Sequence, residues 1–318
     1  MRGRSAAGAP QVVVLGDVAV DWVVEVDQLP RRDDLVLAQS CERFAGGSAA
    51  NVGVGLARLG CDVTFVGEVG DDDGGRFLLK AFEQEGVDAW DVVTLAGRET
   101  ASCVVVVEDG GDHMIIVLPR DADVHRLHDP NLTRVAEAQA VHIGPTHTDA
   151  AREAARRAQE NDALAFYAPG GLAQALGRDL LQPVLELTDG LFVSYNEAFA
   201  LTDHSTPEGA ARVLLDAGPG VVVQTLGPNG VLLATPDRLR RIPAFPAPDA
   251  RDTTGAGDAF AAGFIAARLR GFDWDAAAHI GSAAAALKVR HLGARTGLPS
   301  WDEARSAAAP RLGGGTDP

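Results

Sequence analysis

Lysine is nearly missing from this chain: Lys80 and Lys288 are the only two in 318 residues. A P-loop needs a lysine on the nucleotide phosphates, and a protein kinase needs one on its third strand. Neither lysine has the neighbours for either device, so both are excluded. Cysteine is scarce as well. Cys41, Cys61 and Cys103 are scattered, odd in number and without CxxC or His/Cys spacing, which speaks against a metal site and for reduced thiols. Positive charge is outweighed, 28 Lys and Arg against 44 Asp and Glu, for a net charge of -16. Nucleic acid is therefore not an expected partner, since phosphate contacts need clustered bases. No apolar run reaches the roughly 18 residues of a membrane span. Met1 to Pro10 carries two arginines but no apolar h-region, so no secretory signal is expected and the cytoplasm is the expected compartment.

What is present is a globular pattern, with 46% apolar and 23% charged residues. The run QVVVL at Gln11 to Leu15 suits a buried parallel strand, and Val18 to Val26 suits a half-exposed one. Phe44 to Leu59 opens on glycines and continues with helical spacing of Val52, Leu56 and Leu59, stopping at Gly60. Ala101 to Val107 and His113 to Leu118 flank Asp109-Gly110-Gly111 and read as a β-hairpin. From about Val141 strands and helices alternate. Strands are expected at 141–143, 163–167, 190–194, 221–225 and 231–234, and helices around 150–159, 208–217 and 276–289. Such alternation implies an α/β fold with a mostly parallel sheet covered by helices. The hairpin and the strand near Asp21 break it, and are assigned to a small sheet beside the main one. Both tails, residues 1–10 and 312–318, are rich in Gly, Ala and Pro and are expected to be flexible.

The chemistry concentrates in DTTGAGDAF, Asp252 to Phe260, which runs into the apolar helix AAGFIAARL. A helix N-terminus presents unpaired N–H groups and partial positive charge, a ready site for phosphate. Gly255 and Gly257 let the backbone approach an anion closely. An acid beside a phosphate cradle repels its ligand unless it serves the reaction, and Asp258 suits the proton acceptor of an attacking alcohol. The amides of Gly255, Ala256 and Gly257 would then stabilise the transferring group. The competing readings are a plain tight turn with an N-terminal helix carboxylate, or a dinucleotide fingerprint. The fingerprint is disfavoured because Phe260 stands at the third glycine and no strand immediately precedes Gly255.

The chain resembles the ribokinase-like (PfkB) family of sugar and nucleoside kinases. Two long segments carry the likeness, AGGSAANVGVGLARLG at Ala45 to Gly60 and DTTGAGDAF at Asp252 to Phe260. Between them lie weaker matches at VGEVGDDDGG (Val66 to Gly75), YNEAF (Tyr195 to Phe199) and TLGPNG (Thr225 to Gly230). GDVAVD (Gly16 to Asp21) precedes them and GARTGLP (Gly293 to Pro299) follows. The resemblance implies a ribokinase-like three-layer α/β/α domain over residues 11–305. Lid segments at about 18–44 and 97–122 would form a small β-sheet. It implies ATP as cosubstrate, Mg2+, and in many members a stimulating monovalent cation such as K+. It places Asp258 as the base, Gly255 to Gly257 as the anion hole, and Asp21, Gly46, Gly47, Asn51 and Asp17 on the substrate hydroxyls. Asn196, Thr225, Gly227 and Gly230 fall on the ATP side, Glu197 near magnesium through water, and Asp252 and Thr254 near the monovalent cation. Arg98 and Arg120, on the expected lid, read by default as solvated surface arginines, with contact to the γ-phosphate as the alternative reading, and the exposed lid strands would allow two copies to pair as a homodimer.

The departures from the family pattern bear on substrate and metal. The second acid of the family's Asn-x-x-Glu is Phe199 here, the Asp-Pro-Asn of many sugar kinases is Ala168-Pro169-Gly170, and the lysine of GGKGAN is Ser48. A sugar is the expected acceptor, since aromatics for base stacking are only 5% of the chain. A nucleoside such as adenosine is the alternative, and a non-catalytic sugar or nucleotide sensor is the reading from another class. Asp71-Asp72-Asp73-Gly74 reads as a structural turn, lacking the Glu of an EF-hand, and His142 and His147 read as structural.

Overall fold

The computed structural model describes residues 8–108, 112–118 and 130–312. Strand β1 (Gln11–Leu15) sends Val12 and Val14 into one apolar cluster and Val13 and Leu15 into another. That alternation marks a strand covered on both faces. β2 (Ala19–Val26) and β3 (Ser40–Gly46) then leave for a separate sheet, and α1 (Ser48–Arg58) leads back to β4 (Asp62–Val66). β5 (Glu68–Gly70), α2 (Asp73–Gln84), β6 (Val93–Leu95), β7 (Ser102–Glu108) and β8 (His113–Leu118) follow. The alternating half comprises β9 (Ala140–Ile143), α3 (Thr148–Glu160), β10 (Leu164–Tyr167), α4 (Leu172–Leu185), β11 (Gly190–Ser194), α5 (Tyr195–Thr202), α6 (Pro207–Asp216) and β12 (Val221–Thr225). The chain ends with β13 (Val231–Thr235), β14 (Arg238–Ile242), α7 (Ala256–Leu269), α8 (Trp274–Lys288) and α9 (Trp301–Ala308).

The large sheet runs β14-β13-β12-β11-β10-β9-β1-β4. From β12 to β4 every pairing is parallel, and the two edge strands β13 and β14 are antiparallel. One face packs against α1, α2, α7, α8 and α9, and the other against α3, α4, α5 and α6. The result is three layers. A second sheet, β3-β2-β7-β8, stands apart with its own small apolar cluster of Val23, Val105 and Val107. β7 and β8 are antiparallel with Val107 opposite His113, the expected hairpin, whose turn lies outside the described residues. β5 and β6 pair in parallel as a third, two-stranded sheet.

Because the six strands β12 to β4 run the same way, their C-terminal ends share one edge. Asp17, Gly144, Ala168, Asn196 and Leu226 all follow such ends, where open α/β sheets place ligands. α7 is apolar all round and buried from Ala259 to Ala267, as its composition requires. It lies so close to α1 that a Cβ on Gly55 would come within 2.7 Å of the Ala262 methyl.

Several elements escape the sequence pattern. α4 holds a non-helical Gly177 (φ 71°) and an internal Pro183, both of which read as breaks. β14 is RLRRI, an edge strand whose arginines face solvent, so no apolar alternation betrays it. β3 is exposed at Cys41, Glu42 and Arg43 and merges into the glycines before α1. Val231–Thr235 continues from β12 as a hairpin partner, not as another parallel strand. Among the described residues no helix is long and apolar enough to cross a membrane. The two tails, apart from residues 8–10 and 312, lie outside the described residues.

Candidate functional site

Asp17 leaves β1 into the edge loop and turns its carboxylate onto the start of α1. Oδ2 accepts the Ser48 amide at 2.8 Å and Oδ1 the Ala49 amide at 2.7 Å. No side chain of the N-cap residue, Gly47, can do this. A carboxylate there satisfies two orphan donors and complements the helix dipole. Burial pushes the Asp17 carboxyl up, against the pull of those two amides. The first turn of α1 thereby presents Ser48 and Asn51 toward α7.

Those two side chains close on Asp258. Ser48 Oγ donates to Oδ1 at 2.7 Å and Asn51 Nδ2 donates to Oδ2 at 2.8 Å. Asp258 sits in the first turn of α7, and burial raises its carboxyl to about 6 against the opposing pull of the two hydrogen bonds. Asn51 is held in turn by Arg295, whose Nε donates to its Oδ1 at 2.8 Å while Nη2 donates to the Gly46 carbonyl at 2.7 Å. Arg295 thus fixes which way the Asn51 amide faces. Its guanidinium is 7% exposed, and its charge lies near Asp21, Asp258 and Asp17.

Asp21, on β2, is buried beside Gly46, where a Cβ would fall 1.9 Å from Oδ2. A side chain there would have to push the Asp21 carboxylate aside. Burial lifts the Asp21 carboxyl to about 7, with the neighbouring Asp17 and Asp258 adding to the rise and Arg295 opposing it. Asp17, Asp21, Gly46, Gly47, Asn51 and Asp258, far apart in the chain, come together in one acidic cluster. Arg295 was not singled out from the sequence. The GARTGLP match that contains it was the available signal, but nothing in a linear reading pairs it with Asn51.

Gly255 is the N-cap of α7 at φ 77°, with a would-be Cβ 2.9 Å from both the Cβ and the carbonyl oxygen of Ala294. A side chain there meets both a steric and a backbone penalty. Gly257 is different: a Cβ would meet nothing within 4 Å. Of the three amides expected to form an anion hole, that of Ala256 donates to the Thr253 carbonyl at 3.1 Å. The lid reaches this loop, with His113 Nδ1 3.1 Å from Thr253 Oγ1 and Arg251 donating to Glu25 at 3.2 Å.

The residues expected on the nucleotide side follow strand ends on the same edge of the large sheet. Thr225 ends β12, Gly227 opens a single 3-10 turn, and Gly230 (φ 84°) accepts the Leu226 amide at its carbonyl. Asn196 is exposed in the first turn of α5, and Glu197 completes a capping box there by accepting the Ser194 amide at 2.8 Å. Burial raises the Glu197 carboxyl. Phe199 is 46% exposed on the same helix. Among the described residues no group of three or more His, Cys, Asp or Glu could hold a metal. Arg98 is exposed on the approach to β7, and Arg120 lies outside the described residues.

The remaining candidates are structural. Asp72 caps α2 through Gly75 (2.8 Å) and accepts the Thr100 amide (2.9 Å). His142 is fully buried without a hydrogen-bond partner, its pKa pushed down to about 3 by burial, so it stays neutral. His147 caps α3.

The family model for the pfkB family of carbohydrate kinases matches residues 9–301. This chain belongs to that family. A ribokinase of Haemophilus influenzae is 31% identical over 303 residues, covering 92% of this chain and 96% of that protein. An ATP-dependent ribose-1-phosphate kinase of Halopiger xanaduensis is 33% identical over 288 residues, covering 90% and 94%. The solved Arabidopsis thaliana ribokinase, complexed with ribose and ATP, superposes with a TM-score of 0.82 at 26% identity, covering 94% and 99%. The pfkB chain described here has the ribokinase-like fold and is a phosphotransferase acting on an alcohol group.

Proposed function

We propose that this pfkB kinase transfers the γ-phosphate of ATP to a primary hydroxyl of a small sugar, with Asp258 as general base. The observation that carries the reading is the grip on Asp258. A half-buried carboxylate at a helix N-terminus is held by Ser48 and Asn51, with its pKa raised to about 6. That value lies close to working pH, where a base both stays ionised and takes a proton readily. The acceptor hydroxyl lies against Asp258, and Asp21, Asn51, Gly46 and Gly47 bind the neighbouring hydroxyls. Asp17 acts through α1, orienting Ser48 and Asn51. As the hydroxyl attacks, Asp258 takes its proton, while the amides of Gly255 and Gly257 receive the charge of the transferring phosphoryl group. Ala256 joins them once its bond to Thr253 opens.

ATP lies along the edge loops, with Thr225, Gly227, Gly230 and Asn196 around it. Mg2+ supplies charge neutralisation of the phosphates. With Phe199 in place of a second acid and no three-residue acidic cluster among the described residues, Glu197 would hold Mg2+ only through water, and the phosphates would supply most of its ligands. The four-residue apolar stretch Met114 to Val117 on edge strand β8 is 42–67% exposed, which supports pairing of two lids in a homodimer.

The test is ADP release with ATP and Mg2+ across sugars, sugar phosphates, sugar acids and nucleosides. One class of sugar turns over, and Asp258→Asn lowers kcat by about 10²–10⁴-fold while ATP still binds. Turnover of a nucleoside alone would replace the sugar by the nucleoside reading. Binding without turnover of any compound would leave a sensor.

A further inference from the structure

Lys288 is a buried charge that this reaction does not use. It occupies the last turn of α8, is 0% exposed, and donates from Nζ to the backbone carbonyl of Asp252 at 2.9 Å. The Asp252 carboxylate, also 0% exposed, has Oδ2 3.9 Å from the same nitrogen. Its own oxygens are engaged by backbone: Oδ1 accepts the Thr254 amide at 2.8 Å, and Oδ2 the Gly293 amide at 2.7 Å. Burial lowers the Lys288 pKa, while Asp252 and then Asp258 support its charged form. An interior ammonium costs desolvation that an apolar side chain of the same length avoids. In return it braces the loop 252–255, which leads directly into the glycine cradle and Asp258.

The family likeness implies a monovalent cation beside Asp252 and Thr254. Such an ion needs oxygen ligands, and the side chains here do not offer them. The Asp252 carbonyl faces Nζ, both carboxylate oxygens hold amides, and one positive charge already stands at the site. A second cation would meet direct repulsion in a poorly screened interior. Among the described side chains of this loop, the Thr254 hydroxyl, buried without a partner, is the one left to serve as a ligand.

We propose that the Lys288 ammonium is the resident cation of this kinase, standing in for K+ beneath the 252–255 loop, so that phosphoryl transfer needs no added monovalent ion. Lys288 is a positioning residue, acting through the Asp252 carbonyl on the cradle. The proposal rests on the kinase reading for its activity arm, but two of its readouts are independent of turnover.

The experiment compares the protein in tetramethylammonium, Na+, K+ and NH4+ chlorides at equal ionic strength. For the wild type, kcat/KM changes less than about twofold between tetramethylammonium and K+, the melting temperature does not move, and thallium(I) does not bind by calorimetry. Lys288→Ala, which clears space at the carbonyl, loses at least about tenfold in kcat in tetramethylammonium and regains most of it with K+ or NH4+. Its melting temperature rises saturably with the same ions. Lys288→Met keeps the packing volume and gives an enzyme that is slow in every salt. Several-fold stimulation of the wild type by K+, or thallium(I) binding to it, overturns the proposal. So does a Lys288→Met enzyme as fast as wild type without added ions. If no compound is phosphorylated at all, the kinase reading fails by itself, and melting and thallium(I) binding still decide the cation question.

Discussion

Asp258 carries two opposed demands at one residue. Burial favours its neutral form, and the proposed reaction needs the ionised one. kcat/KM is therefore expected to fall with unit slope as pH drops below about 6, read from a pH–rate profile. The linked stability runs the other way. With the folded pKa raised above the usual 3.8, the stabilisation is full below pH 3.8 and is lost as pH rises through about 6. Asp258→Asn, which keeps the neutral form, should melt higher than wild type at pH 8, and the gap should close toward pH 4. Equal melting temperatures at pH 8 would contradict a strained carboxylate. Arg295 offers a second test at this scale. Lysine cannot hold Asn51 and the Gly46 carbonyl together, so Arg295→Lys should lower kcat by about 10–100-fold through a misplaced Asn51. Unchanged kcat would remove Arg295 from the positioning chain.

At the scale of elements, the start of α7 separates fold from function in two neighbouring glycines. Gly255 has a positive φ and a crowded Cβ position against Ala294. Gly255→Ala is expected to cost about 1–3 kcal/mol of stability, measured by urea unfolding. Gly257 has open space where its Cβ would be, and alanine is the better helix former. Gly257→Ala should leave stability unchanged or slightly raised, while the new methyl fills the space offered to the phosphoryl group and lowers kcat/KM. Matching effects of the two substitutions would argue against a phosphate cradle. The signature glycines were legible in the sequence, but their different duties were not, because Ala294 comes close to only one of them. Likewise Asp17 is a plain acid after a strand until the fold shows it capping a helix 31 residues on.

At the scale of the molecule, the small sheet meets the main body through β2 and β3, with Val20 in the main apolar cluster and Arg43 paired with Asp73. Arg251–Glu25 and His113–Thr253 bridge them, and a Cβ on Gly293 would strike the Phe44 ring at 2.6 Å. An exposed ion pair such as Arg251–Glu25 is worth about 0–1 kcal/mol, and the proposed lid dimer would rest instead on the exposed apolar residues of β8. Ile116→Asp with Val117→Lys on β8 should convert the proposed dimer to monomer in sedimentation velocity while the melting profile of the chain stays cooperative. A wild-type monomer at micromolar concentration would dispose of the lid dimer.

Local pattern alone determined the α/β alternation, the buried β1, the pairing of β7 with β8, and the glycine-opened start of α7. Each depends on periodicity or on glycines within a short window. Tertiary structure decided the rest. That Asp258 is held by Ser48 and Asn51 spans more than 200 residues, and no periodicity encodes a contact across that distance. The same holds for Lys288, which the sequence showed only as one of two lysines. Its role depends on where the end of α8 meets the Asp252 carbonyl, and burial there turns a common surface residue into a fixed internal charge.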